Sequence, residues 1–221
     1  MQVRNQLVKC LTRAYARTID FNGVNREEVY QAHGEERTVF WIDADDWFAA
    51  GQCTPFGTIL LNEDRLSEVP ESVQDYVFLH EVGHTKPPAL LNLISIVLRI
   101  PSVLLAIFGT PVLIGRWVGV VLSTPSFGHF MAFTVATVIT ILLITLPVIA
   151  IWWLDEGYAE LFAVSKLGTS TYQRHHEEMS KHADRTIANR LTRWLLYPNP
   201  KYVIWIAERL ERGTADYTSM K

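Results

Sequence analysis

The sequence predicts a mainly helical α+β domain with a small sheet, interrupted by a two-helix membrane hairpin. Two short runs rich in aromatic and β-branched residues predict the strands, at Thr38–Asp43 and Gly57–Asn62. Apolar residues at helical spacing lead into the pentapeptide H-E-V-G-H at 80–84. Most of the surplus of apolar residues then lies in Ala89–Leu154, which is long enough for two crossings of a bilayer.

Composition sets the broad class of the protein. The 221 residues carry a formal net charge of −3, and 49% of them are hydrophobic. The length predicts one compact domain, or one domain plus membrane segments, and the nearly balanced charge argues against nucleic acid as a partner. The two cysteines, Cys10 and Cys53, form no C-x-x-C pair and are predicted to be reduced thiols, which fits a cytoplasmic location. No apolar run follows the basic N-terminal residues, so no signal peptide is expected.

Four elements are predicted before the histidine pentapeptide. Val3–Ile19 is predicted to be an amphipathic helix packed on the domain, and a helix lying on a membrane surface is the alternative. Arg26–Glu36 is polar and is predicted to be a second helix. The two strands follow, with the turn-rich stretch Asp45–Pro55 between them.

The pentapeptide is predicted to lie on a helix that is capped by Ser72 and ends before Pro87. Residues four apart share one face of a helix, so His80 and His84 can bind one metal ion together. Glu81 would project beside the open coordination position and act as general base toward a water molecule that zinc activates. The motif therefore predicts one Zn²⁺ per chain. The alternative is a pair of surface histidines beside a glutamate.

Two apolar runs follow the motif. Phe130–Trp153 has no charged residue and can span about 30 Å of hydrocarbon at about 1.5 Å per residue. Ala89–Leu122 is interrupted by Arg99 and Arg116, whose side chains could reach opposite interfaces. A hairpin buried in a soluble protein is the alternative. Since the flanking parts hold nearly all the Lys and Arg, the sequence predicts a multi-pass protein of the cytoplasmic membrane with its domain in the cytoplasm.

Three helices are predicted after the hairpin, at Asp155–Leu167, Thr171–Leu196 and Lys201–Arg212, with Gly168 ending the first. The domain is thereby divided in the sequence. The predicted segments are the N-terminal part with the metal helix at 1–88, the hairpin at 89–153, and the C-terminal part at 154–221.

A catalytic zinc ion needs a third protein ligand. The candidates are the acidic and histidine residues after the motif: Glu156, Glu160, His129, His175, His176 and His182. A hairpin that crosses and returns would bring the helix near Glu156 back beside the motif. Glu160, one turn further on, could then support a ligand histidine. The alternative is that both glutamates are charges at the membrane interface.

The order of these elements resembles a known family. H-E-x-x-H, then membrane helices, then E-G-Y-A-E at 156–160 is similar to the HtpX-like and CAAX-prenyl-endoprotease group of gluzincin metallopeptidases, whose second element reads E-x-x-A-D. The resemblance implies a gluzincin-like fold, Glu156 as third zinc ligand, and a supporting role for Glu160. Glu160 stands where the family has Asp.

The resemblance extends upstream to a strand. W-F-A-A-G at 47–51 and the G-T-I-L-L-N strand are similar to the family's N-A-F-A segment and the strand that follows it. In the family, that strand is an edge that pairs with the backbone of an extended substrate. The resemblance therefore implies a substrate-binding role for four residues: Gly57, Thr58, Ile59 and Leu60.

The resemblance weakens downstream. The family commonly has H-P-P followed by an Arg, whereas this chain has Y-P-N-P at 197–200. Tyr197 and His182 are the remaining candidates for stabilising an oxyanion, since either could polarise a carbonyl.

These predictions describe a membrane-bound zinc metalloendopeptidase that acts on membrane-proximal or misfolded proteins, with a polypeptide and the lipid bilayer as its partners. An intramembrane zinc protease is one alternative, but the motif helix carries Gln74, Asp75 and Lys86 and precedes the apolar run. The other alternative is a catalytically inactive zinc-binding or scaffold protein with the same fold. The intact Glu81 argues against it, and the missing H-P-P segment argues for it.

Overall fold

The computed structural model describes residues 2–20, 22–44, 50–123, 126–182 and 197–219. The chain divides into two compact units, and the boundaries fall at 87/88 and 155/156, against predicted boundaries at 88/89 and 153/154. The first unit comprises Met1–Pro87, Glu156–Trp194 and Pro198–Lys221, and the second comprises Pro88–Asp155 and Leu195–Tyr197. The histidine motif and the E-G-Y-A-E segment therefore belong to the same unit.

In the described part of the first unit, four strands form a mixed sheet in the order β1-β2-β4-β3. Helix α1 (Gln2–Ile19) leads into β1 (Val24–Ala32), β2 (Glu35–Ile42), β3 (Gly51–Cys53) and β4 (Ile59–Asn62). Strands β1 and β2 are antiparallel, β2 and β4 are parallel, and β3 is antiparallel to β4. The two strands that the sequence predicts correspond to β2 and β4.

The helix predicted over Arg26–Glu36 is wrong, because this segment is most of β1 and its hairpin turn. His33 and Gly34 have φ of 49° and 79°, as a two-residue hairpin turn requires. Strand β1 is at an edge of the sheet, so polar residues are tolerated along it. Glu28, for example, accepts a hydrogen bond from the Trp41 indole over 2.7 Å.

Two helices follow the sheet: α2 (Glu63–Ser67) and α3 (Glu71–His84). Helix α3 carries the histidine motif. It begins one residue before Ser72, and its first turn has no side-chain cap. The predicted capping box is therefore wrong. Pro70 precedes the helix, and its φ of −57° already suits a helical start.

The core of the first unit lies between the sheet and α3. Side chains alternate along the two central strands, so Trp41 and Leu61 join the cluster that includes α3, while Phe40 and Leu60 pack on the α1 side. The buried apolar residues of α3 are Val73, Tyr76, Val77, Phe78, Leu79 and Val82. This burial fixes the rotation of α3 about its axis and so fixes where the motif histidines point.

The second unit is helical. It contains α4 (Ala89–Leu104), a π-helical segment (Leu105–Gly109), α5 (Thr110–Ser123) and the larger part of α6 (Phe127–Leu167). Helix α5 lies beside α6, since Trp117 Nε1–H donates to a threonine hydroxyl of α6 over 3.1 Å.

Among the described helices, only α6 is long and apolar enough to cross a membrane, judged by length and composition. The first apolar run contains only shorter apolar helices, Ala89–Leu98 and Ile107–Ser123. The predicted two-helix membrane hairpin is therefore wrong for this run. Pro101 gives a physical reason, because proline removes a helical hydrogen bond and the wider π-helical turns begin shortly after it.

The described remainder of the first unit contains the end of α6, then α7 (Thr169–His182) and α8 (Pro200–Ser219). The helix predicted at Asp155–Leu167 is continuous with the apolar helix, and Gly168 ends it with a φ of 78°. Residues 183–196, the later part of the helix predicted at Thr171–Leu196, lie outside the described residues.

Candidate metal centre

Helix α3 places the two motif histidines side by side. Their side chains are 13% and 20% exposed, and His80 Nε2 lies 3.2 Å from His84 Nε2. The rings meet nearly at right angles, at 82°, with centroids 4.9 Å apart. The one-turn spacing along the helix therefore brings both Nε2 atoms to one point, as the sequence predicts.

Helix α6 brings Glu156 to the same point. Its Oε2 lies 3.3 Å from His80 Nε2 and 3.7 Å from His84 Nε2. The glutamate is buried, with 8% of its surface exposed, and Oε2 has no hydrogen-bond partner. A buried carboxylate oxygen without a partner is unfavourable unless a cation is bound there.

The spacing of these three atoms fits a zinc ion. Ligand atoms bound about 2.0–2.1 Å from a tetrahedral Zn²⁺ lie about 3.3–3.4 Å from one another. The observed distances, 3.2, 3.3 and 3.7 Å, are close to that value. Two imidazoles and one carboxylate also leave the fourth position open, as in catalytic zinc sites. His80, His84 and Glu156, the metal triad from here on, are the residues that would hold the ion.

Glu160 lies behind the metal triad, on the other side of the His80 ring. Its Oε1 lies 3.5 Å from His80 Nδ1, the ring nitrogen that faces away from the triad. The Tyr76 hydroxyl donates to both Glu160 oxygens, over 3.0 and 3.1 Å. Tyr172 packs edge-on against Tyr76, with ring centroids 5.7 Å apart. A carboxylate at this nitrogen fixes the tautomer and orientation of a ligand imidazole.

Glu81 lies between α3 and the short strand β3. It is 6% exposed, and the Cys53 backbone N–H donates a hydrogen bond to its carboxylate. A Cβ on Gly51 would lie 3.0 Å from Glu81 Cγ and 2.8 Å from Val77 Cγ1. Glycine at position 51 therefore leaves the space that the Glu81 side chain occupies.

The pKa values of Glu81 and Glu156 shift in opposite directions. Burial raises the pKa of Glu81, and the neighbouring histidines only partly offset it. Burial also acts to raise the pKa of Glu156, but the adjacent imidazoles of His80 and His84 lower it to about 2.

The substrate-pairing role implied for Gly57–Leu60 does not agree with the topology of the sheet. Strand β4 is interior, with β2 on one side and β3 on the other, so Ile59 and Leu60 have no free edge. Gly57 and Thr58 form a turn whose backbone bonds to Thr54. The strand with a free edge near Glu81, among the described residues, is β3.

The other predicted site residues do not join the triad in the described part of the chain. Tyr197 belongs to the second unit, and the His182 side chain is not among those that the structure describes. His129 also belongs to the second unit, His175 is buried in α7, and the His176 ring stacks on Tyr172. The oxyanion-stabilising group stays a prediction.

Sequence reasoning missed several residues at this site. Tyr76 precedes His80 by one helical turn, so its position on the same face was available as a signal. Gly51 and Cys53 lie beside Glu81 only because β3 pairs with β4, and β3 is a three-residue strand inside the turn-rich stretch. No pattern in so short a strand predicts it.

No protein-family model, no curated protein and no solved structure matches this chain.

Glu35 lies close to the ends of both site helices and gives a testable pH dependence. Hydrogen bonds from Lys86 and Lys166 lower the pKa of Glu35 from 4.5 to about 2. The ionised form is therefore favoured by folding, and its contribution to stability is complete above pH 4.5 and lost as the pH falls toward about 2. We expect the stability difference between the parent and Glu35→Gln to shrink across this window.

Thermal unfolding followed by circular dichroism would measure this difference at about pH 5.5, 4 and 3, a range that covers the ordinary titration of a carboxyl group. Glu27→Gln is the control, since Glu27 also pairs with two cations, Lys9 and Arg13. A difference that stays constant down to about pH 3 would contradict the prediction.

Proposed function

We propose that this protein is a membrane-bound zinc metalloendopeptidase with a gluzincin-like site. The observation that carries the proposal is the metal triad, three ligand atoms at zinc spacing, with the buried Glu81 directly after the ligand His80 in sequence. Two of the ligands come from one helix and the third from a helix far along the chain. Such convergence of buried polar groups is unfavourable for folding without a ligand.

Each residue around the metal triad would have a separate role in hydrolysis. Zinc, when bound, would activate a water molecule and polarise a carbonyl. Glu81, buried beside the triad, would take the proton from that water and pass it to the leaving amine. The Cys53 N–H keeps the carboxylate oriented between these two transfers. Glu160 and Tyr76 hold the His80 ring in position.

An extended polypeptide is the substrate class that the site favours. Among the described strands, β3 is the edge of the sheet beside Glu81, so a substrate in extended conformation could pair with it. Such pairing reads the backbone more than the side chains. Membrane-proximal or misfolded segments are suited to it because their backbones are not already paired.

A membrane location is part of the proposal. The apolar side chains of α6 are exposed, including Val138 at 51%, Leu143 at 67% and Leu146 at 56%. A core helix of a soluble protein would bury such residues, so lipid is the environment that fits them. The excess of Lys and Arg outside this segment favours the cytoplasmic side for the metal triad.

A zinc-binding module without activity is the second candidate function. The chain has no H-P-P segment, and the oxyanion-stabilising residue is the missing part of the catalytic apparatus. The same triad would then hold zinc for a structural purpose. Metal content cannot separate the two functions, whereas hydrolysis can.

Metal content and hydrolysis together test the proposal. The detergent-solubilised full chain is expected to contain about one zinc ion and to cleave an unfolded protein such as casein. Glu156→Gln should weaken zinc binding by more than about a hundredfold, beyond the loss typical of residues that only support a ligand. Glu160→Gln is the control for a supporting residue. A parent chain without zinc would overturn the site, and a zinc-loaded chain without hydrolysis would favour the second candidate.

A further inference from the structure

Glu35 forms a buried link between the two helices that carry the metal triad. Its side chain is 9% exposed, and it accepts hydrogen bonds from Lys86 at 2.6 Å and Lys166 at 2.9 Å. Lys86 lies two residues after the end of the motif helix α3, and Lys166 is in the last turn of α6. One carboxylate at the β1–β2 hairpin thus joins the ends of both helices.

Further contacts complete this link. Tyr158 lies two residues after the ligand Glu156, and its hydroxyl donates to the Lys86 carbonyl oxygen over 2.8 Å. The Phe162 ring lies under both ammonium groups, with Lys86 Nζ 4.9 Å and Lys166 Nζ 5.5 Å from its centroid. The five residues Glu35, Lys86, Tyr158, Phe162 and Lys166 are called the brace from here on.

The position of the brace matters because the two site helices are not adjacent in the chain. The chain leaves the first unit after Pro87 and returns at Glu156. The spacing of the triad therefore depends on contacts between α3 and α6. A surface ion pair would contribute little, about 0–1 kcal/mol. Glu35 is 9% exposed and bonds to two lysines that are each 32% exposed, so this link has a more fixed geometry than a single exposed pair.

We propose that Glu35 is a positioning residue, which sets the affinity of the metal triad for a divalent metal by fixing the end of α3 against α6 through Lys86 and Lys166. The inference rests on the metal site of the proposed function and does not depend on peptidase activity. Glu35 contacts no ligand of the triad. It acts through the spacing of the helices that hold them.

Metal titration of the full chain in detergent tests this inference. The probe is Co²⁺, whose visible absorption reports the number and geometry of its ligands, followed by competition with Zn²⁺. We expect Glu35→Gln to weaken both metals by about tenfold or more, within the range seen when groups supporting metal ligands are removed. Glu35→Asp keeps the charge and should recover part of the affinity.

Glu27→Gln is the matched control, because Glu27 is also a carboxylate between two cations but joins α1 to β1. It should leave the affinity within about twofold of the parent, since separated sites are nearly independent. The unfolding temperature of the metal-free chain is measured in parallel. A brace that served stability alone would lower this temperature while the affinity and the Co²⁺ spectrum of the folded chain stayed unchanged, and that result would overturn the inference.

Two further outcomes are informative. If Glu35→Gln does not fold, Lys166→Met, at a side chain 32% exposed, replaces it and should show a smaller loss in the same direction. Unchanged metal affinity in Lys166→Met would then overturn the inference. A parent chain that binds neither metal refutes the metal site itself, and the brace proposal with it. A parent that binds while Glu35→Gln binds equally refutes the brace proposal alone.

Discussion

Glu81→Gln is expected to bind zinc as the parent does and to lose peptide hydrolysis by roughly a hundredfold to ten-thousandfold. The amide has nearly the shape of the carboxylate but cannot take a proton from water. Glu81 is not one of the three triad atoms, so the metal should stay. The Cys53 N–H that donates to the carboxylate can donate equally to the amide oxygen, which limits structural change.

Initial rates of casein cleavage and zinc content by atomic absorption would measure the two effects on the same samples. Glu71→Gln is the control, because Glu71 is an exposed residue in the first turn of the same helix. It should leave both quantities unchanged. Full hydrolysis in the Glu81 variant would exclude Glu81 as the base. Loss of zinc together with hydrolysis would show instead that Glu81 maintains the site.

The histidine motif could be predicted because its chemistry is local. Two ligands on one helical face depend only on the spacing of four residues, and the buried stripe of α3 then determines where that face points. Glu156 was predicted by a different route, from the return of the chain and from the resemblance to gluzincins. The structure does bring it to the histidines, although the first apolar run contains no spanning helix.

The other errors have physical reasons that a single sequence does not carry. The polar character of β1 favours a surface helix, yet an edge strand tolerates it equally well. The order of the described strands places β3, not β4, at the edge nearest Glu81. Strand order depends on contacts between distant segments. The partners of Glu35 come from the ends of two helices, so no spacing along the chain relates them.

Gly83 within the motif marks the closest approach of the two site helices. A Cβ at this position would lie 2.7 Å from Ala159 Cα and 3.0 Å from Ala159 O. Both are backbone atoms of α6, so no change of rotamer can relieve the contact. Helices α3 and α6 would have to move apart, which would also separate His84 from Glu156. Glycine is therefore needed here for packing, although it is a poor helix former.

We expect Gly83→Ala to destabilise the chain by about 2 kcal/mol. Overpacking of a close-packed contact costs about 1–3 kcal/mol, here near the upper end because the clash is with backbone atoms, and the better helix propensity of alanine returns about 1 kcal/mol. For a chain of this size the unfolding temperature should fall by roughly 4–8 °C. Zinc affinity should fall as well, since the distance from the histidines to Glu156 depends on the separation of the helices.

Two comparison variants make this prediction specific to the helix contact. Gly157→Ala is a glycine replacement in α6 itself, where the nearest atom to a new Cβ is Pro198 Cγ at 3.9 Å. It should be neutral or slightly stabilising. Adding Ala159→Gly to Gly83→Ala removes a methyl group but leaves the backbone atoms that clash, so it should not restore stability or zinc affinity. Restoration by Ala159→Gly would show that side-chain volume, and not the approach of the two backbones, determines how closely the helices that hold the metal triad pack.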